Sequence, residues 1–190
     1  MAASLLERVH GCLTPAAVDG VSAFLDEQSL NTEEAIRDTV PALLGGLIDR
    51  TSTAASGDTL LTVINRVGLS VDLVELSRGE APFDDLMRSG HTVLGTIFGG
   101  MSRDVVSQVA AASGLRPLSA SALTAILAPI VLAVVGREVV SKQLNASGVV
   151  SLLADQRATV TRAMPASLWP LFAGPSGGSL HRVALSLGDI

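Results

Sequence analysis

Along most of this chain apolar side chains recur every three or four residues with charged ones between them, but from Ala122 to Gly136 the charges stop. Those fifteen residues hold no charge and only Thr124 as a polar side chain. A helix that is apolar on every side has to be buried on every side. The run rises about 22 Å as a helix, short of a hydrocarbon core of roughly 30 Å. Arg137 and Glu138 follow it at once. Both points favour a central core helix, carrying Leu127, Pro129 and Leu132, over a membrane span.

The remaining pattern reads as helix after helix. Leu5, Leu6, Val9 and Leu13 keep helical spacing, and Thr14-Pro15 supplies a cap with proline at the first helical position of the next helix, which carries Val18, Val21 and Leu25. Gln28 to Leu30 is expected to turn. Asn31-Thr32-Glu33-Glu34 is expected to cap a helix bearing Ile36, Val40, Leu43, Leu44, Leu47 and Ile48. Pro41 lies inside it, so a kink or break is expected between Asp38 and Pro41, with Gly45-Gly46 allowing a close helix contact. Asp58 is expected to cap a short helix through Leu60, Leu61, Ile64 and Val67, and Val71 to Leu76 forms another. Pro82 opens a clearly amphipathic helix that Gly99-Gly100 ends. Ser102 caps the next, which stops at Gly114, and Asn145 to Ser147 caps a helix through Val149, Leu153, Val160 and Met164. Pro165 then opens a short segment containing the single Trp169.

No run alternates with period two and no strand-helix-strand spacing occurs, so the expected fold is all-α, one multihelical domain of about nine or ten helices over residues 1–173. Residues 174–190, beginning GPSGGS, read as a flexible linker or tail. An internal duplication is also expected, with pseudo-repeats at about 14–67 and 102–164. TVPALLGGLIDR followed by SGDTLLTVINR parallels LAPIVLAVVGRE followed by ASGVVSLLADQR. An acid-arginine pair, Asp49-Arg50 or Arg137-Glu138, trails each proline, and the two long Pro-containing helices would pack together at the centre.

Composition narrows the function more than it defines it. The single Cys12 cannot close an intramolecular disulfide and fits a reducing compartment, so apolar packing must supply the stability. The first residues lack a basic stretch before Glu7 and Arg8, so they read as an amphipathic helix rather than a secretory signal. A cytoplasmic location is expected, with any tether to the envelope lying beyond residue 190. Residues 1–95 hold six Arg against fourteen acids, net −8, and residues 96–190 hold seven Arg and Lys against four acids, net +3. The acidic half disfavours nucleic acid, and the absence of Tyr leaves little to stack on bases.

Candidate chemistry is sparse. His10, His91 and His181 form no paired motif, and no cysteine completes a metal-ligand set, so no metal and no cofactor is expected. Cys12 near the end of an amphipathic helix reads as a packing thiol, GPSGGS lacks the lysine and preceding strand of a phosphate loop, and the acidic pairs Glu33-Glu34 and Asp84-Asp85 complement helix dipoles.

Four segments carry a family resemblance: TVPALLGGLI at Thr39 to Ile48, GTIFGG at Gly95 to Gly100, LAPIVLAVVGR at Leu127 to Arg137, and LNASGVVSLLADQR at Leu144 to Arg157. In this order, over most of residues 5–165, the chain resembles the YidB-like family of bacterial proteins. That domain of unknown function also stands at the N-terminus of some proteins ending in an OmpA-like peptidoglycan-binding domain. The resemblance implies an all-helical bacterial domain with no established activity, and no catalytic residue to carry over.

The expected function is therefore non-enzymatic: an interaction or scaffold domain, the cytoplasmic N-terminal part of a cell-envelope-associated protein. The alternative is a binding module for a small apolar ligand or lipid between the two pseudo-repeats. A protein partner is expected, self-association being the simplest case, with no nucleic acid and no direct membrane insertion. The candidate interaction face is Phe83, Met87, Leu94 and Phe98, which two long apolar helices would leave partly uncovered beside Asp84, Asp85 and Arg88.

Overall fold

The computed structural model describes residues 3–168 and Phe172, and every regular element among them is helical. In chain order these are α1 (Leu5–Cys12), α2 (Pro15–Leu25), α3 (Ser29–Arg50), α4 (Ala54–Arg66), α5 (Leu73–Ser77), α6 (Phe83–Phe98), α7 (Ser102–Ser113), α8 (Pro117–Ser141) and α9 (Ala146–Ala163). Short 3-10 turns lie at Gly68–Ser70 and Gly99–Met101. The helices number slightly fewer than expected, because α5 is a five-residue turn and only eight of the described helices are longer. Trp169, His181 and the 174–190 segment fall outside the described residues.

Local chemistry sets most helix starts. Ser4 and Glu7 form a reciprocal capping box, the Ser4 amide donating to Glu7 Oε2 at 2.7 Å. Thr14 accepts from the Ala17 amide at 3.2 Å ahead of Pro15, and Asn145 accepts from the Gly148 amide at 2.9 Å. Three starts differ from expectation, α7 among them, since Ser102 is its first residue and its hydroxyl donates to the Gly99 carbonyl at 2.8 Å instead of capping. α3 begins at Ser29 without a side-chain cap, since Thr32 is buried and its hydroxyl donates back to the Gln28 carbonyl instead of capping. α4 begins at Ala54 because Thr53 and Ser56 form the box upstream of Asp58.

α8 is the centre. It spans 25 residues, about 37 Å, longer than the charge-free run alone. Leu123, Ile126, Leu127, Ile130, Val131, Leu132 and Val135 on it are wholly buried, and Pro129 is buried among them. α1, α2, α3, α4, α6, α7 and the 68–70 turn all pack against it, α6 most extensively. Although α8 is long and apolar enough to cross a bilayer, 83% of its most apolar 18-residue window is buried inside the protein. Protein takes the place that lipid would otherwise fill.

The α6–α8 contact has a specific cause. Pro129 has no N–H to offer the carbonyl of Ala125, four residues back. Gly90 of α6 sits directly over that carbonyl: a Cβ at position 90 would lie 1.7 Å from the Ala125 oxygen and 2.6 Å from its carbon. Only glycine permits this approach, and it places the Gly90 Cα in the arrangement of a Cα–H···O contact with the freed carbonyl.

That approach overturns the expected interaction face. Phe83, Leu94 and Phe98 are only 8%, 5% and 1% exposed, and Met87 is half-buried. With glycine at the crossing, α6 comes close enough to α8 to bury all of its apolar side except part of Met87, and no continuous uncovered stripe is left for a partner. Pro41 also departs from expectation: α3 runs unbroken through it, with every residue from Thr39 to Ile48 buried. Packing on all sides outweighs the lost hydrogen bond. At Gly46 a Cβ would lie 2.5 Å from Phe98 Cε1 and 2.6 Å from Ile97 Cγ2, so the glycine makes room for the end of α6.

Polar ties fix the periphery. Glu138, near the C-terminal end of α8, is buried and receives Arg8 of α1 at 2.9 Å and Lys142 at 3.0 Å. Arg116, just before α8, donates from Nε to Glu27 Oε1 at 2.8 Å and from Nη2 to the Leu25 and Asp26 carbonyls at 2.9 and 2.7 Å. A guanidinium on the last carbonyls of α2 complements its dipole. The same hydrogen bond from Arg116 holds the Glu27 carboxyl below its ordinary range.

Candidate functional site

Two cavities open on either side of Arg50, where α3 ends against α4 and α6. The first, about 200 Å³, has apolar walls from Leu47, Leu60, Val63, Val93, Ile97 and Leu132, with Leu132 of α8 wholly buried. Arg50, Thr51, Ser56, Thr59 and Thr96 complete it. The hydroxyls of Ser56, Thr59 and Thr96 bond back to their own helices, to the Thr53, Ala55 and Thr92 carbonyls. Arg50 is the charged side chain of this lining, and its Nη atoms make no hydrogen bond among the described residues.

Arg50 is held in place by the end of α6. Its Nε donates to the Ile97 carbonyl at 3.1 Å, one of the last carbonyls of that helix. Gly99 closes α6 with φ +56°, and a Cβ there would lie 2.6 Å from Arg50 Nη2. The glycine thus serves the left-handed turn and the guanidinium together. No ion pair of Arg50 occurs among the described residues.

The second cavity, about 270 Å³, is lined by Gly46, Asp49, Arg50, Ile97, Phe98, Met101 and Phe172. Phe98 and Phe172 meet edge to face with centroids 6.5 Å apart. Asp49 is the unusual member, its side chain only 12% exposed. Its Oδ1 lies 3.6 Å from Arg157 Nη1, too long for a hydrogen bond. Both Asp49 oxygens and that Arg157 nitrogen are buried with no hydrogen-bond partner among the described residues. Burial pushes the Asp49 carboxyl up to about 6, against the opposing pull of Arg157.

The other residues singled out in the sequence do not converge. Leu127 and Pro129 sit within the core, and only Leu132 reaches a cavity. Phe98 lines the second cavity, whereas Phe83, Met87 and Leu94 line neither. His10 lines a separate groove with Leu13, Pro15, Val18, Asp19, Ser29, Glu33 and Ile36, and burial lowers its pKa, helped by Arg37. His91 is exposed. Cys12 is half-buried and free, its thiol pushed up by burial, which makes it a poor nucleophile. Among the described residues no three His, Cys, Asp or Glu side chains form a group that could hold a metal.

In the sequence, Asp49-Arg50 stands only as a marker of duplication. The adjacency of an acid and a base at a helix end was the available signal, but Arg157 is more than a hundred residues away and nothing local pairs it with Asp49. The profile of a family described as bacterial protein of unknown function (DUF937) matches residues 7–138, a span that includes Asp49, Arg50 and nearly all of α8 but not α9. No curated protein and no solved structure matches the chain. With some two thirds of its length matched, and in keeping with its YidB-like motifs, the chain belongs to this family of bacterial proteins of unknown function.

Proposed function

We propose that this chain is a non-enzymatic binding module for a small amphipathic ligand with an apolar body and an anionic head, such as a medium-chain carboxylate. The observation that carries the reading is the first cavity: apolar walls reaching Leu132 of the central helix, and at the solvent side a fixed guanidinium with donors to spare. Arginine matches a carboxylate with two parallel hydrogen bonds, and the apolar walls take the chain. The same proposal places the module in the cytoplasm.

The cavity lies between α3 and α4 on one side and α8 on the other, with α6 bridging, so the proposal includes the duplication. It is supported by reciprocal packing, since α3 touches α7, α8 and α9 while α8 touches α2, α3 and α4. Calorimetric titration with octanoate tests the function. Saturable binding should weaken about tenfold in Arg50→Gln and vanish in Val63→Phe, which fills the cavity. No binding, or binding that neither substitution changes, contradicts the proposal.

A second reading, a protein contact with self-association included, is favoured by one surface. Leu118 is 87% exposed and Phe24 37%, and together with Leu25, Pro117 and Ala122 they line an apolar groove beside Arg116. Light scattering at tens of micromolar would give a mass above the 19.4 kDa monomer, lowered by Leu118→Glu. A strictly monomeric wild type removes self-association.

A further inference from the structure

We infer that the groove between α1, α2 and α3, into which His10 is set, is a binding site for a small primary amine with an apolar body. The groove measures about 370 Å³, within the usual range for small-molecule sites. It shares no lining residue with either cavity beside Arg50, so the inference stands independently of the carboxylate reading.

The first support is the charge of the rim. Asp19 of α2 and Glu33 of α3 both line the groove, and both are exposed, so their oxygens are open to a ligand. Ser29 Oγ donates to Asp19 Oδ1 at 3.0 Å, which pins that carboxylate across the two helices and leaves Oδ2 without a hydrogen bond among the described residues. Glu33 stands one turn after Ser29 on the same face of α3, which brings the two carboxylates to one stretch of the groove. Arg37 meets Glu33 at 3.5 Å, and two carboxylates against that one guanidinium leave a net charge that a single ammonium balances.

The second is a set of acceptors that matches the donors of an ammonium, which carries three N–H groups and no acceptor. Besides the two carboxylates the groove presents the His10 ring, which makes no hydrogen bond among the described residues. Burial, helped by the charge of Arg37, lowers the His10 pKa, so at pH 7 the ring is neutral and keeps one nitrogen as an acceptor. These side chains do not form a group that could hold a metal ion. An ammonium hydrogen bond, about 2.7–3.2 Å, reaches further than a metal–ligand bond of about 2.0–2.2 Å.

The third is the floor. Leu13, Pro15, Val18 and Ile36 line the groove, and Leu13 and Ile36 are buried. Apolar walls take the body of the ligand while the rim holds its charge. A carboxylate here would face two like charges, and the second ammonium of a diamine would meet Arg37. Residues 1–95, which build the groove, hold six Arg against fourteen acids, and that excess of negative charge draws cations toward it.

Side-chain NMR of the full chain during a titration with phenethylamine tests this, with 2-phenylethanol as the probe that keeps the body and lacks the charge. Phenethylamine should move the His10 ring and the Leu13, Val18 and Ile36 methyls saturably, and 2-phenylethanol should bind at least about tenfold more weakly. Asp19→Asn should weaken amine binding at least about tenfold and leave octanoate binding unchanged, which separates this site from the cavity under Arg50. If Asp19→Asn does not fold, Val18→Trp, which fills the groove from its floor, should abolish amine binding in its place. No saturable shift up to about 10 mM, shifts confined to Leu60 and Val63 of the other cavity, equal affinity for 2-phenylethanol, or wild-type affinity in a folded Asp19→Asn or Val18→Trp variant overturns the inference.

Discussion

Replacing Gly90 with alanine adds one methyl group to the middle of an α-helix, and intrinsic propensity alone would make the protein more stable by about 1 kcal/mol. The packing gives the opposite sign. The new Cβ would fall 1.7 Å from the Ala125 oxygen and 2.6 Å from its carbonyl carbon, both backbone atoms of the central helix, so no side-chain rotation relieves the clash. α6 has to retreat by more than 1 Å, roughly the gap that forfeits a quarter to a half of each contact's dispersion energy. Leu86, Val93, Leu94 and Ile97, all buried on α6, are worth about 2 kcal/mol each, so the retreat costs about 2 kcal/mol or more. Overpacking strain adds about 1–3 kcal/mol, and the propensity gain offsets about 1. The net destabilisation is about 2–4 kcal/mol, read as a fall of about 1–2 M in the urea midpoint. Gly95 provides the control in the same helix: it is exposed, a Cβ there meets nothing within 4 Å, and Gly95→Ala should raise stability by about 0.5–1 kcal/mol. Equal or greater stability of Gly90→Ala than of wild type would refute the close approach of α6 to α8.

Leu127→Asp places a carboxylate at a wholly buried position of α8, at a cost of several kcal/mol against a total of roughly 5–15, and should abolish the cooperative far-ultraviolet transition, whereas Leu118→Asp, at an exposed position of the same helix, should unfold like wild type. Asp49 makes stability depend on pH. Its carboxyl titrates at about 6 in the folded chain against 3.8 otherwise, so the folded state holds that proton more tightly, the benefit is complete below about pH 4, and it is lost as pH rises through 6. The loss is about 3 kcal/mol, measurable by urea titration at pH 4 and pH 7, and Asp49→Asn should remove this component of the slope.

The fold class was legible because helical periodicity and the charge-free run are local patterns that packing reinforces. What escaped the sequence is what depends on contacts between distant segments. The expected exposed face on α6 assumed an ordinary helix spacing, and Gly90 beside the carbonyl freed by Pro129 makes that spacing smaller. Pro41 suggested a break, yet α3 is buried along this stretch and stays continuous. Thr32 belongs to a cap motif by sequence, but burial turns its hydroxyl back onto Gln28. Of the candidate site, Arg50 and Asp49 were visible as a charged pair after an apolar run. Their surroundings were not, because the walls come from α4, α6 and α8 and the opposing Arg157 from α9.

The central claim is that the cavity under Arg50 takes an amphipathic ligand, and methyl-labelled NMR during an octanoate titration tests it most directly. The account predicts saturable shifts in the methyls of Leu60, Val63, Val93 and Ile97 that are lost in Val63→Phe, with Leu118 and Leu25 unmoved. Shifts confined to Leu118 and Leu25, or no saturable shift at all, would contradict it.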